Sequence, residues 1–120
     1  MVLHSVLVVD DDATFRALAA QVLTSSGFRV IGEAAGVEEA LARAAELRPE
    51  AALVDIGLPD GDGFDLARRL SSLAWLLRVV LISTDAGATS ERALSRSGAS
   101  GFLAKHEFTG RALKRLLEDE

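Results

Sequence analysis

Short apolar runs rich in Val, Ile and Leu recur along the chain, and segments of helical periodicity separate them. Five runs have the length and composition of buried strands: Val6–Val9, Val30–Ile31, Ala51–Val54, Val79–Ile82 and Phe102–Ala104. Strict alternation of strands and helices with short connections predicts an α/β fold. In such a fold the strands are parallel, the crossovers are right-handed and helices cover both faces of the sheet.

Apolar residues between these runs fall at helical spacing. The predicted buried stripes are Phe15, Leu18, Ala19, Val22 and Leu23 in the first helix, Val37, Ala40, Leu41 and Ala44 in the second, Leu66, Leu70 and Leu73 in the third, and Phe108, Ala112, Leu113, Leu116 and Leu117 in the last. Ser90–Ser97 predicts a weaker fourth helix, because only Ala93 and Leu94 offer it apolar surface. Gly27 and Gly98 follow periodic segments, where a left-handed residue often ends a helix.

Composition narrows the class of protein. The 120 residues, 49% of them hydrophobic, are enough for one globular domain over 1–120. The net charge of -5 argues against direct binding of nucleic acid, and the absence of cysteine excludes disulfides and thiolate metal sites. The longest apolar run, Leu73–Leu77, is far shorter than the roughly 20 residues of a membrane span. Without a signal-peptide pattern either, a cytoplasmic protein away from the membrane is expected.

Polar residues that follow the predicted strands are candidates for chemistry. They are Asp10, Asp11 and Asp12 after the first strand, Asp55 after the third, Ser83 and Thr84 after the fourth, and Lys105 after the fifth. Ligands bind open parallel sheets at the edge where these strand ends meet, and carboxylates that converge there repel one another unless a cation is present. Taken singly, the same residues have plainer roles: Asp12 or Thr14 as a helix cap, Ser83 as a turn cap, and Lys105 as a solvated surface cation.

An all-oxygen set of ligands favours Mg²⁺, with Mn²⁺ as the alternative, over zinc. Because protein-bound Mg²⁺ usually also contacts phosphate oxygens, phosphoryl transfer is the reaction class to test first. An aspartate is ionised at neutral pH and attacks phosphorus without a general base. Charge spreads over the phosphoryl oxygens in the transition state, where Lys105 would supply a cation and Ser83 a hydroxyl donor.

Four segments resemble the signature regions of response-regulator receiver domains of two-component signalling, including those joined to LuxR-type output domains. The segments are Leu7–Asp11, Val54–Phe64, Ile82–Thr84 and Gly98–Lys105. The resemblance implies a flavodoxin-like five-stranded parallel sheet with strand order 2-1-3-4-5. It also implies that Asp55 accepts a phosphoryl group from a histidine kinase or a phosphotransfer protein. The chain would then be no enzyme, apart from catalysing its own aspartyl phosphorylation and dephosphorylation.

The resemblance assigns ligands to the metal. Asp11 would bind Mg²⁺ directly and Asp10 mostly through water. Asp55 would be the third carboxylate, and Gly57 would contribute its backbone carbonyl. Ser83 and Lys105 would contact the phosphoryl group and complete the catalytic set.

The resemblance also implies a conformational switch. The Ser83 hydroxyl would move toward the phosphoryl group while Phe102 turns inward. The face formed by the fourth helix, fifth strand and fifth helix would then bind an output partner or domain. A homodimer of two activated copies of the chain is also expected.

Several positions depart from the family pattern. His106 follows Lys105 where most receivers have proline after a cis peptide bond. A cis bond to a non-proline residue would cost about 3–4 kcal/mol, so the loop is either strained or trans. Thr84 is bulkier than the usual residue and could narrow access to the acceptor. Gly57 and Asp85 lie where side chains tune hydrolysis in the family, and the missing side chain at 57 predicts a short-lived phosphoprotein.

Two other functions remain open from the sequence. Thr84 and His106 leave room for an interaction domain that keeps the receiver shape and works without phosphorylation. Phosphohydrolases of the haloacid-dehalogenase type also use an aspartyl nucleophile, but they carry an acid/base Asp two residues later, where this chain has Gly57. The cluster Asp60–Gly63 superficially resembles a calcium loop but lacks its bidentate Glu, and it favours a turn into the third helix.

Overall fold

The computed structural model describes residues 4–118 apart from 74, 76, 86 and 88. The main sheet consists of β1 Ser5–Val9, β2 Arg29–Ala34, β3 Ala51–Asp55, β4 Arg78–Ser83 and β5 Gly101–Ala104. The α-helices are α1 Ala13–Ser25, α2 Val37–Leu47, α3 Gly63–Ser71, α4 Glu91–Ser97 and α5 Gly110–Glu118. The strands are parallel throughout, in the order β2-β1-β3-β4-β5, which confirms the predicted flavodoxin-like sheet.

The sheet buries side chains on both of its faces. Along β1, Val6 and Val8 join the cluster under α1 and α5, whereas Leu7 and Val9 join the cluster under α2 and α3. All five residues of β1 and of β3 are buried. The central strands therefore appear in the sequence as continuous apolar runs rather than as alternating patterns.

The edges of the sheet and the helix surfaces account for the errors of the sequence prediction. β2 is longer than the predicted Val30–Ile31, because one side of this edge strand is open to solvent and tolerates polar residues. The predicted burial of Leu18 is wrong: α1 buries only a narrow stripe, and Leu18 is 52% exposed. Phe108 precedes α5 instead of lying in it, yet its side chain packs against the predicted core.

The helix ends follow the expected backbone chemistry. Asp12 caps α1 by accepting hydrogen bonds from two backbone N–H groups of the first turn. Gly27 and Gly98 have φ values of 94° and 74°, as predicted for residues that end helices. Arg48 ends α2 at φ 49°, a conformation that a non-glycine side chain rarely adopts. None of the helices within the described ranges is long and apolar enough to traverse a bilayer.

Trp75 ties the loop before β4 to the loop before β3. Its indole Nε1 donates a hydrogen bond to the Pro49 carbonyl at 2.8 Å. The Arg48 guanidinium lies 4.5 Å from the centroid of the indole ring, within the range of a cation–π contact. These contacts lie at the N-terminal ends of the strands, on the sheet edge opposite Asp55.

Candidate metal and phosphoryl site

Parallel pairing brings the ends of four strands to one edge of the sheet. Asp10 directly follows β1, Asp55 ends β3, Ser83 ends β4 and Lys105 directly follows β5. The register pairs Val9 with Val54, Asp55 with Ile82, and Ser83 with Ala104. The polar residues that the sequence analysis selected therefore emerge at nearly the same height along the strands.

Three carboxylates converge at this edge. One oxygen from each of Asp10, Asp11 and Asp55 lies within 4.8 Å of the other two. Asp10 is fully buried and Asp55 is buried, whereas Asp11 is exposed. The carboxylate of Asp10 is oriented by a hydrogen bond of 2.9 Å from the Asp12 N–H to its Oδ1. The cluster thus faces solvent on one side only.

Lys105 lies against the buried side of the cluster. Its Nζ is 2.6 Å from Asp10 Oδ2 and 3.7 Å from Asp55 Oδ2. At 2.6 Å the Lys105 ammonium is the charged partner of Asp10 Oδ2, which accepts no hydrogen bond from the other described residues. The side chain of Lys105 is 13% exposed, which rules out the plainer role of a solvated surface cation.

The surroundings of Asp55 disfavour its negative charge. Burial raises the pKa of Asp55 most, and the neighbouring charges of Asp10 and Asp11 raise it further. The Lys105 ammonium and the Gly57 N–H, which is 3.4 Å from Asp55 Oδ1, act in the opposite direction and lower this pKa. One ammonium facing three carboxylates leaves negative charge uncompensated. The all-oxygen donor set and its residual negative charge therefore fit a hard divalent cation such as Mg²⁺.

A short antiparallel ribbon follows β3 and shapes the open side of the site. Its strands are Gly57–Leu58 and Gly61–Asp62. Gly57 is exposed, and a Cβ added there would meet no atom within 4 Å. The side-chain position at Gly57 therefore lies in open space beside Asp55.

Gly63 allows the ribbon to fold back against the end of β3. A Cβ on Gly63 would lie 2.4 Å from the Asp55 carbonyl oxygen and 2.5 Å from the Ile56 Cα. The Gly63 N–H donates to the Ile56 carbonyl at 2.9 Å. Sequence reasoning treated Gly63 only as part of a turn, and the one local signal was its position directly after a capping residue, Asp62.

The acidic residues of the ribbon cap two different helices. Asp62 accepts from the Phe64 N–H at 2.9 Å and starts α3, which confirms the predicted turn into the third helix. Asp60 accepts from the N–H groups of Val37 and Glu38 at 2.7 and 3.2 Å, and so caps α2. These two hydrogen bonds lower the pKa of Asp60. Sequence spacing gave no sign of this second cap, because 23 residues separate Asp60 from Val37.

The predicted switch residues and the departures from the family pattern also have defined positions. Ser83 is buried, and its Oγ accepts from the Asp85 N–H at 3.1 Å, which confirms its role as a turn cap. Phe102 is partly buried against the cluster that underlies α3. Thr84 is exposed, as is His106, and the described part of the chain contains no cis peptide bond. The loop after Lys105 therefore follows the trans alternative.

Comparison with known proteins agrees with this geometry. The family model for the response regulator receiver domain matches residues 6–118. The chain belongs to this family. The identification confirms the resemblance drawn from the four segments and accounts for the strand order of the receiver's sheet.

Relatives of this receiver carry different activities. The positive transcription regulator BvgA of Bordetella pertussis is 36% identical over 104 residues, which cover 87% of this chain and 50% of BvgA. A protein-glutamate methylesterase/protein-glutamine glutaminase of Myxococcus xanthus is 40% identical over 114 residues, which cover 94% of this chain and 32% of the enzyme. The receiver thus spans about half the length of BvgA and about a third of the methylesterase.

A similar solved structure contains ions of the expected kind. It is a chain of the CheX–CheY–BeF3–Mg²⁺ complex from Borrelia burgdorferi, with a TM-score of 0.84 and 26% identity. The match covers 96% of this receiver and 87% of that chain.

Proposed function

We propose that this receiver stores a signal by accepting a phosphoryl group on Asp55 from a histidine kinase or a phosphotransfer protein. One observation carries the proposal: Lys105 Nζ lies 2.6 Å from Asp10 Oδ2 and 3.7 Å from Asp55 Oδ2, in the crevice where the three carboxylates meet. A nucleophile, a cation that can bind an anion and a set of metal ligands thus surround the position that one phosphoryl group would take. The beryllofluoride and Mg²⁺ in the similar CheX–CheY complex support the same chemistry.

Phosphoryl transfer needs only groups that this chain supplies, together with the metal. A carboxylate oxygen of Asp55 forms a bond to phosphorus while the P–N bond of the donor phosphohistidine breaks and its electron pair stays on the imidazole. Lys105 neutralises the phosphoryl oxygens and the Ser83 hydroxyl donates to them. Mg²⁺, with Mn²⁺ as the alternative, would be held by Asp10, Asp11, Asp55 and the Gly57 carbonyl and would offset phosphoryl charge. Water attacking phosphorus later releases inorganic phosphate and restores the carboxylate, so the only catalysis proposed is on the chain's own aspartate.

Phosphorylation would change which partner the receiver binds. Ser83 leaves its turn for the phosphoryl group, and Phe102, the second residue of the neighbouring edge strand, turns inward with it. The readout face is α4, β5 and α5, and α4 buries only Ser97 completely. This face would bind an output domain or a separate partner, or a second activated copy. We also propose a cytoplasmic location. Because the net charge is -5, we propose no direct contact of this chain with nucleic acid.

Incubation with acetyl phosphate and Mg²⁺, followed by intact-mass measurement, tests the proposal. The wild type should gain one phosphoryl group, and Asp55→Ala should gain none. Asp65→Asn is a matched control, since Asp65 is an acidic residue on α3 that pairs with Arg68 outside the cluster. If the wild type gains no phosphoryl group and binds no beryllofluoride at any dose, the alternative of a receiver-shaped interaction domain replaces this proposal.

A further inference from the structure

The Lys105 side chain is held between carboxylates and an aromatic ring. Its Nζ, besides contacting Asp10 and Asp55, lies 4.5 Å from the centroid of the Phe15 ring. Since the lysine side chain is only 13% exposed, its ammonium is largely shielded from water. The face of an aromatic ring attracts a cation, and the attraction strengthens as water is removed. Phe15 is therefore the uncharged group that the Lys105 ammonium contacts.

Phe15 is itself held from several sides. Its backbone N–H, in the first turn of α1, donates to the Asp12 carboxylate at 3.4 Å. Its side chain is 9% exposed and belongs to the core cluster under α1 and α5. Its ring lies 5.9 Å from the Phe108 ring, with the two planes tilted by 57°, an arrangement typical of favourable aromatic pairs. The ring is thus a fixed surface for the ammonium.

The aromatic pair also connects this surface to the backbone that carries the lysine. Lys105–Glu107 form a single 3-10 turn, and the Phe108 N–H donates to the Lys105 carbonyl at 3.3 Å. Phe15 therefore contacts the ammonium of the residue that starts the turn and the ring of the residue that ends it. A long lysine side chain needs such a constraint to keep its ammonium at one place.

We propose that Phe15 is a positioning residue for phosphoryl transfer, whose ring face holds the Lys105 ammonium where it reaches a phosphoryl group on Asp55. This inference rests on the proposed function. The ring attracts the ammonium without adding a charge, so Nζ exchanges the Asp10 oxygen for phosphoryl oxygens without leaving the crevice. An aliphatic side chain at position 15 fills the core but does not hold the cation.

Beryllofluoride titrations of the full chain in saturating Mg²⁺, followed by calorimetry, test this role. Phe15→Leu should raise the dissociation constant of beryllofluoride roughly fivefold or more, the factor that corresponds to losing one cation–π contact. Phe28→Leu is the matched control, because Phe28 is a 4% exposed ring of the same cluster that pairs with His4 instead. Its dissociation constant should stay within twofold of the wild type.

Nuclear magnetic resonance gives a second readout that packing alone would not change. In the wild type without beryllofluoride, the ring face should shift the Lys105 ε-methylene signals upfield, and Phe15→Leu should return them to their ordinary position. Phe15→Met replaces Phe15→Leu if the leucine variant does not fold.

Three results would overturn the inference alone: wild-type affinity in the Phe15 variants, an equal loss of affinity in Phe28→Leu, or ordinary Lys105 shifts in the wild type. A wild type that does not bind beryllofluoride would overturn the proposed function, and this inference with it.

Discussion

Asp55 lies among groups that act on its charge in opposite directions. Burial, Asp10 and Asp11 raise its pKa, whereas Lys105 and the Gly57 N–H lower it. A nucleophilic carboxylate needs to be ionised, and a carboxylate in a crowded acidic crevice becomes ionised most readily when a cation is at hand. The ionisation of Asp55 therefore depends strongly on its neighbours.

Gly57 should set the lifetime of the phosphorylated state. Because a Cβ there meets nothing within 4 Å, a side chain can start at position 57 without a clash, and a large one would stand in the path of water. We expect Gly57→Phe to lengthen the half-life of the phosphoprotein ~5-fold, which corresponds to about 1 kcal/mol in the hydrolysis barrier. The decay of the phosphorylated mass in Mg²⁺ buffer measures it, with Leu18→Phe, at an exposed position on α1, as control. A half-life of many hours in the wild type would show that water does not enter at Gly57.

The ribbon after β3 joins the site to two helices. Its glycine at position 63 permits backbone contact with the end of β3, its Asp62 starts α3 and its Asp60 caps α2. The ribbon also contains Gly57, whose carbonyl is proposed to bind the metal. A change in the ribbon should therefore alter the end of β3 and the starts of α2 and α3 together.

Gly63→Ala should disturb both folding and metal binding. The added Cβ would lie 2.4 Å from the Asp55 carbonyl oxygen, a backbone atom that cannot move without shifting β3. We expect a loss of about 1–3 kcal/mol in the free energy of unfolding, measured by urea denaturation. Gly57→Ala, whose Cβ has open space, should change stability by about 0.5 kcal/mol or less. Equal stabilities of the two variants would contradict the close approach at Gly63.

Asp60 should make the stability of the receiver depend on pH. Its pKa is lower in the folded chain than its ordinary 3.8, because the Val37 and Glu38 N–H groups bind the charged form. The folded state thus binds fewer protons, so the stabilisation is present at neutral pH and is lost as the pH falls below 3.8 and through the folded-state value.

Urea denaturation of the wild type and Asp60→Ala, from neutral pH to about pH 3, measures this dependence. The variant should be less stable at neutral pH, and the difference should shrink on acidification. A difference that stays constant with pH would mean that the cap acts without its charge. Asp65→Ala, which removes a carboxylate of α3 that pairs with Arg68, serves as control.

Metal binding and folding of the receiver should be linked. The raised pKa of Asp55 means that its ionisation opposes folding as the pH rises above the ordinary 3.8. Without metal at neutral pH, Asp55→Asn should therefore be more stable than the wild type.

Mg²⁺ at about 100 times its dissociation constant should stabilise the wild type by about 2.7 kcal/mol, or roughly 10 °C in thermal midpoint. Circular dichroism melts with Mg²⁺ or a chelator decide this, and an equal Mg²⁺ shift in Asp55→Asn would contradict it.

The central strands and the polar residues at their ends could be predicted from the sequence. The runs of β1, β3 and β4 are apolar because both faces of the sheet are covered, and the residues after them converge because parallel strands end together. Periodicity overestimated the burial of Leu18, since a helix on the outside of a sheet buries only a narrow stripe. The cap by Asp60 and the contact of Phe15 with Lys105 join segments that are distant in the sequence, and no local pattern encodes such pairs.

Trp75 is the only tryptophan of the chain, and its fixed place at the far edge limits what its fluorescence reports. The five residues of β3 separate that edge from Asp55, a span of about 15 Å. Mg²⁺ or a phosphoryl group at the acceptor should leave the emission almost unchanged, because quenching needs close contact. Loss of the hydrogen bond to Pro49 on unfolding should change it strongly. The fluorescence of Trp75 should therefore report denaturation. A fluorescence assay of phosphorylation would need a label attached close to Asp55.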